Sequence, residues 1–159
     1  MNEDQNPMTG FKTLEIAFSQ GFRMKRVPLA DNIFREVDMA LGAERYTYAR
    51  LKKMKVQQLA VLNGNQPLNG FPCFCLFYGT LKELRGKGLT LAFVEKILEQ
   101  FKKDLPKRYG REYYIEALVE TDIEASLAIA AKLFGEPSHD GVDEMSGMPT
   151  RVWQYKVTR

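Results

Sequence analysis

The segment "LRGKGLTLAFVEKILEQF" (residues 84–101) places Arg85, Gly86, Lys87 and Gly88 directly before a run with apolar residues at helical spacing. A helix N-terminus leaves backbone N–H groups unpaired and carries partial positive charge, so an anion is favoured there. Glycines let the backbone approach that anion with no Cβ in the way. Gly86 and Gly88 supply access, Arg85 and Lys87 supply charge, and the chemistry predicted is phosphate binding. Two common phosphate loops do not fit. A Walker A loop needs glycine where Leu81 stands and Ser or Thr where Gly88 stands, and the dinucleotide pattern G-x-G-x-x-G needs glycine at Leu91.

Carboxylates are the second group with chemical potential. Glu116 and Glu120 stand four apart in "EYYIEALVE", hence on one face of a strand, and Glu83 flanks the glycine loop. The sequence ranks none of the three above the others as a base. Cys73 and Cys75 alternate within an apolar run, share a face and lie poorly for pairing with each other. With the single histidine, His139, they cannot close a zinc site, and they read as free thiols.

These groups need a scaffold. Residues 1–10 read as a flexible tail and residues 11–159 as a single domain. Residues 13–18 and 22–27 read as strands joined at Ser19-Gln20-Gly21, with Pro28 ending the second. Asp31 caps a predicted helix, "NIFREVDMAL", that Gly42 closes. "AERYTYARLKKM" fits a helix better than a strand. Residues 55–62 read as a strand, residues 63–72 as a loop broken by Gly and Pro, and residues 73–81 as a strand apolar on both faces, at home in the middle of a covered sheet. A helix follows the glycine loop and stops at Pro106; then come a strand over 112–120, a helix after Asp122, a polar loop over 135–150 and a strand over 151–157. The fold class predicted is α/β, with helices packed over a mixed sheet.

Composition narrows the function. Hydrophobic residues make up 45% and charged residues 27%, a globular rather than a disordered balance. The net charge of +3 is spread over dispersed basic clusters with no interleaved aromatics, which argues against nucleic acid. The polar start has no apolar core of a leader and no stretch is long enough to span a bilayer, so a cytoplasmic protein is expected.

The pattern Arg-x-x-Gly-x-(Gly/Ala), here Arg85-Gly86-Lys87-Gly88-Leu89-Thr90, resembles the coenzyme A pyrophosphate loop of the GCN5-related N-acetyltransferase (GNAT) family, with Thr90 in the place of Gly or Ala. "DIEASLAIAAKLFG" is similar to the family segment that reads Asn-x-x-Ser and ends in Lys-Leu-Gly-Phe: Ser126 and Lys132-Leu133 match, Ile123 replaces Asn, and Phe134-Gly135 reverses the usual order. The likeness runs over about residues 22–157 and is strongest over 80–135.

That resemblance implies a GNAT-like mixed central sheet flanked by helices on both faces. It implies acetyl-CoA as cofactor, with the strand ending at Thr80 and Leu81 splayed from the strand of Glu116 and the pantetheine arm in the gap. Backbone N–H groups of Arg85, Gly86, Lys87, Gly88, Leu89 and Thr90 would hold the pyrophosphate, Ser126 would touch the cofactor arm, and an N–H near Leu81 would steady an oxyanion. Transfer to an amine by direct attack is implied, with Glu116 or Glu120 removing the proton; the acceptor is a small molecule, a peptide or a protein. The family's usual tyrosine acid falls at Ala130, with Tyr114 and Tyr155 as substitutes. A sensor that binds acetyl-CoA without transfer is the alternative. Residues 42–54 and 63–72 would border the acceptor, with Tyr46, Tyr48, Arg45 and Arg50 as contacts, and the acids of residues 135–150 would attract an amine. The terminal strand pairs either within the chain or across a homodimer.

Overall fold

A computed structural model describes residues 7–27, 32–144 and 146–159, with side chains from residue 10 onward. In chain order the elements are α1 (Pro7–Ser19), β1 (Lys25–Arg26), β2 (Ile33–Ala40), β3 (Ala43–Lys52), β4 (Lys55–Leu68), β5 (Phe71–Thr80), α2 (Leu89–Asp104), β6 (Glu112–Glu120), α3 (Glu124–Phe134), β7 (His139–Val142) and β8 (Pro149–Thr158). The strands form one mixed sheet in the order β1-β2-β3-β4-β5-β6-β8-β7. Every neighbouring pair is antiparallel except β5 and β6, which run parallel because α2 carries the chain back across the sheet. The mixed α/β sheet is the predicted class, and β8 pairs within the chain, between β6 and β7.

Strand alternation separates two cores. Tyr46, Tyr48, Ala60, Leu62, Phe74 and Leu76 face α2 and α3, whose Phe93, Val94, Ile97, Phe101, Ala130 and Phe134 complete that layer. Ala49, Leu51, Val56 and Leu59 face the other way and are covered by Phe11 and Phe18 of α1. Helices therefore cover both faces, but α1 covers only part of its side.

The first half of the chain departs from the sequence reading in five places, the first being residues 22–27, of which only Lys25–Arg26 is strand, with a helix rather than a hairpin partner before it. Residues 13–18 are helix because Phe11 and Phe18 are buried with Leu14 against them, at helical spacing, whereas Ile16, which strand alternation would bury, is 58% exposed. The helix begins at Pro7, within the expected tail, of which residues 1–6 lie outside the described residues, as do Pro28 and Asp31. "NIFREVDMAL" is strand β2 rather than a helix: Gly42 is not a helix end but half of a two-residue hairpin turn with Leu41, at φ 77° and 55°. "AERYTYARLKKM" is β3, a central strand buried on both faces, so the alternation that marks a strand is lost. Residues 63–72 are not a loop. β4 runs on to Leu68, Pro67 sits at a ladder irregularity between Asn65 and Leu68, and Asn69-Gly70, at φ 51° and 81°, turns directly into β5. The remaining difference is β7, a short strand within the region read as a polar loop.

Candidate active site

β5 and β6 pair only at Cys73–Tyr114, Phe74–Ile115 and Cys75–Glu116, yet the strands run on to Thr80 and Glu120. Beyond Cys75 and Glu116 they part. The splay predicted for this pair is present. The N–H of Leu81 donates to the Gln57 carbonyl at 2.9 Å, so by alternation the backbone groups of Tyr78 and Thr80 point away from β4 and into the gap. The donor expected near Leu81 is thus not Leu81 itself, whose N–H is spent on β4 and whose side chain packs on the α1 core.

The gap is a narrow slot of about 40 Å³ lined by Tyr78, Leu118, Ile123 and Ser126 among others. On the α2–α3 side it opens into a groove of about 530 Å³ that brings together Thr80, Arg85, Gly86, Gly88, Leu89, Thr90 and Ser126. Lys87 lies exposed between the two glycines. Gly86 and Gly88 stand at φ 79° and 70°, and Gly88 is the N-cap of α2. A Cβ at either would meet nothing within 4 Å, so the glycines are required by backbone conformation and leave open space above the helix N-terminus. A glycine-lined cradle at the mouth of a sixteen-residue helix, continuous with a slot where the main chains of β5 and β6 no longer pair with each other, fits a long ligand with an anionic end.

The loop is locked from beneath. Thr90 Oγ1 lies 2.6 Å from Thr80 Oγ1, the buried Gln58 amide donates to Thr80 Oγ1 at 3.2 Å and to the Leu89 carbonyl at 3.0 Å, and Arg85 Nε donates to the Thr80 carbonyl at 2.9 Å. Thr90 therefore ties α2 to β5, which a Gly or Ala there would not. Gln58 was invisible to the sequence reading; a polar residue on the core-facing side of a strand was the available signal.

On the opposite face the slot opens into a second groove, of about 420 Å³, which includes Cys75, Phe77, Glu116, Leu118, Glu120, Asp143 and Thr150. Glu116 accepts from Gln154 Nε2 at 2.8 Å and Asn65 Nδ2 at 3.4 Å, with Cys75 Sγ 3.7 Å away. Burial, with Glu116 adding to it, pushes the Cys75 thiol up to about 12, and burial alone pushes the Tyr78 hydroxyl to about 12. Tyr78 donates that hydroxyl to the Ser126 carbonyl at 3.3 Å, across the groove.

Other expected residues lie elsewhere. Glu83 sits exposed on a 3₁₀ turn (Lys82–Leu84) and lines neither groove. Tyr46 and Tyr48 are core residues, the latter donating to Asp104 at 2.7 Å; Arg45 pairs with Asp38; Arg50 lies over Phe93. None of the four reaches the second groove. Ala130 is wholly buried, Tyr155 packs on Phe134 outside both grooves, and Tyr114 accepts from Asn69 at the far end of β6. Cys73 and Cys75 are free thiols. Among the described residues no cluster could hold a metal and no helix is long and apolar enough to cross a membrane.

No protein-family model matches the sequence, and no curated protein matches it. Solved structures do match. A GNAT-family acetyltransferase of Streptococcus pneumoniae superposes with a TM-score of 0.53 at 16% identity, over 71% of this chain and 66% of that one. The ribosomal-protein-S5-alanine acetyltransferase of Vibrio fischeri gives 0.54 at 13%, over 73% and 62%. Arabidopsis thaliana NAA60, solved with a bisubstrate analogue, gives 0.51 at 8%, over 70% and 75%. The chain has the fold of GNAT acetyltransferases, and it spans just under two thirds of the length of the first two.

Proposed function

We propose that the protein is an acetyl-CoA-dependent N-acetyltransferase in which the acceptor amine attacks the thioester directly, with both substrates bound at once. The observation that carries this reading is the parting of β5 and β6 after Cys75 and Glu116, because the slot it creates joins two grooves on opposite faces of the sheet. One groove suits the cofactor and the other the acceptor, so the reactants meet in the slot.

The N–H groups from Gly86 to Thr90, with Lys87 beside them, hold the pyrophosphate, while the Arg85 N–H expected among them is spent on the Lys82 carbonyl at 3.2 Å; the main chain of Tyr78 and Leu118 holds the pantetheine arm as an added strand; Ser126 borders it. Acetyl-CoA supplies an electrophilic carbonyl and a good leaving group. The N–H of Tyr78, aimed into the gap, takes the oxyanion role first assigned near Leu81. Glu116 receives the ammonium proton directly or through water, with Glu120 farther along the same face. Burial pushes the Tyr78 hydroxyl up to about 12, and it is engaged with the Ser126 carbonyl, so the role assigned to it is a hydrogen bond. A thiolate needs little protonation to leave, and the alanine at 130 is compatible with turnover.

Release of free CoA thiol from acetyl-CoA tests the reading. Thiol release that depends on added primary amine supports transfer. Tight acetyl-CoA binding with no amine-dependent release supports the sensor instead.

A further inference from the structure

The second groove has a chemistry of its own. Glu116, Glu120 and Asp143 line it, and no lysine, arginine or histidine does among the described residues. In a chain with a net charge of +3, that local balance is inverted. The donors that reach Glu116 are the neutral side chains of Gln154, Asn65 and Cys75.

A second observation is independent of the carboxylates. Thr150 is 2% exposed, and its Oγ1 has no hydrogen-bond partner. Thr150 pairs directly with Glu120 across the β6–β8 ladder, so its side chain shares the face of Glu120 and is directed to the groove it lines. A buried hydroxyl left unpaired costs stability, and valine would fill the same space without that cost. A donor group on a ligand would satisfy it.

The spacing sorts these groups into two centres. Glu116 stands where the strands part; Glu120, Thr150 and Asp143 stand together at the far end, where β6 meets β8 and the turn after β7. Four residues of strand separate the centres by about 13 Å at the backbone. Leu118 lies between them on β6, and Phe77 faces it from β5. The order is carboxylate, apolar strip, carboxylates with an unpaired hydroxyl.

The geometry points to an acceptor that is a linear dication: a primary amine at the Glu116 end, an aliphatic stem over Phe77 and Leu118, and a second ammonium donating to Glu120, Asp143 and Thr150. This names the acceptor class for the acetyltransferase reading and rests on it for purpose, although not for its test.

The test is calorimetric titration of the full-length protein without acetyl-CoA, using 1,8-diaminooctane and, as the singly charged control, 1-aminooctane. The diamine is expected to bind at least about tenfold more tightly. The advantage should shrink with salt and disappear in the Glu120→Gln, Asp143→Asn double variant. Thr150→Val should weaken diamine binding several-fold while its melting temperature stays equal to or above that of the wild type, which separates a binding role from a folding defect. Equal binding of the two amines, or a preference that survives the double variant, overturns the proposal. Diamine preference without any acetyl-CoA binding upholds it while refuting the acetyltransferase reading; amine-dependent transfer with no preference does the reverse.

Discussion

Cys75 and Glu116 are the last residues to pair before β5 and β6 part, and Cys75 directs its thiol at the Glu116 carboxylate over 3.7 Å. The ladder thus ends on a carboxylate held by neutral donors at the head of the slot. Glu116→Gln keeps the shape and the Gln154 neighbour but removes the proton acceptor. Turnover with an amine is expected to fall about 100-fold with acetyl-CoA affinity unchanged, as measured by initial rates beside a binding titration. An equal loss in Glu120→Gln, with Glu116→Gln near wild type, would assign the base to the other end of the groove.

Thr90 tests the lock under the glycine loop. Thr90→Ala removes the 2.6 Å contact with Thr80 and leaves Gln58 as the donor to that hydroxyl. The expected cost is about 1 kcal/mol, a fall in melting temperature of roughly 2–4 °C by calorimetry. Thr90→Ser, which keeps the hydroxyl, should recover most of it.

Asp104, the last residue of α2, ties that helix to β2 and β3. Its carboxylate accepts from Tyr48 at 2.7 Å and Gln100 at 2.8 Å and pairs with Arg35 at 2.7 Å, with its side chain 8% exposed. Asp104→Ala strands three polar groups in and beside the core and should cost about 3–5 kcal/mol, read from the urea midpoint. Acetyl-CoA affinity measured on the remaining folded protein should be unchanged, because none of these groups lines the cofactor groove.

Alkaline pH should destabilise the fold. Burial raises Cys73 and Cys75 from 9.0 to about 12 and Tyr46, Tyr78 and Tyr113 from 10.0 to about 12. Each keeps its proton in the folded state where the unfolded chain has lost it, so the unfolded state binds fewer protons above pH 9. The contribution is fully present below about pH 9 and is lost as pH rises toward 12. Melting temperatures recorded from pH 8 to 11 should fall steadily, and Cys75 should resist alkylation at neutral pH. A flat profile would mean that these groups titrate as they do in the unfolded chain.

The second half of the chain was legible because its signals are local and agree. The glycines before α2, the Pro106 stop and the two-sided apolar strand each point the same way as the fold, and the Arg85–Thr90 loop lies where its spacing put it. In the first half, tertiary context overrides local pattern. Phe11 and Phe18 show as a helix face only once β3 and β4 are there to receive them. Leu41-Gly42 looked like a helix end because leucine seldom adopts the left-handed conformation a tight hairpin demands. The acceptor groove was half visible: the shared face of Glu116 and Glu120 follows from strand period, whereas Thr150 and Asp143 join them only through the β6–β8 and β7–β8 pairings.

Whether the cradle above α2 binds acetyl-CoA decides the account. Isothermal titration of the protein with acetyl-CoA, beside a Gly88→Glu variant, measures it directly. The variant sets a carboxylate where the pyrophosphate is proposed to lie and forces a side chain onto a backbone at φ 70°. Micromolar binding by the wild type, abolished in a folded Gly88→Glu protein, is the predicted result. A folded wild type that does not bind acetyl-CoA, or a variant that binds it equally well, would contradict the assignment.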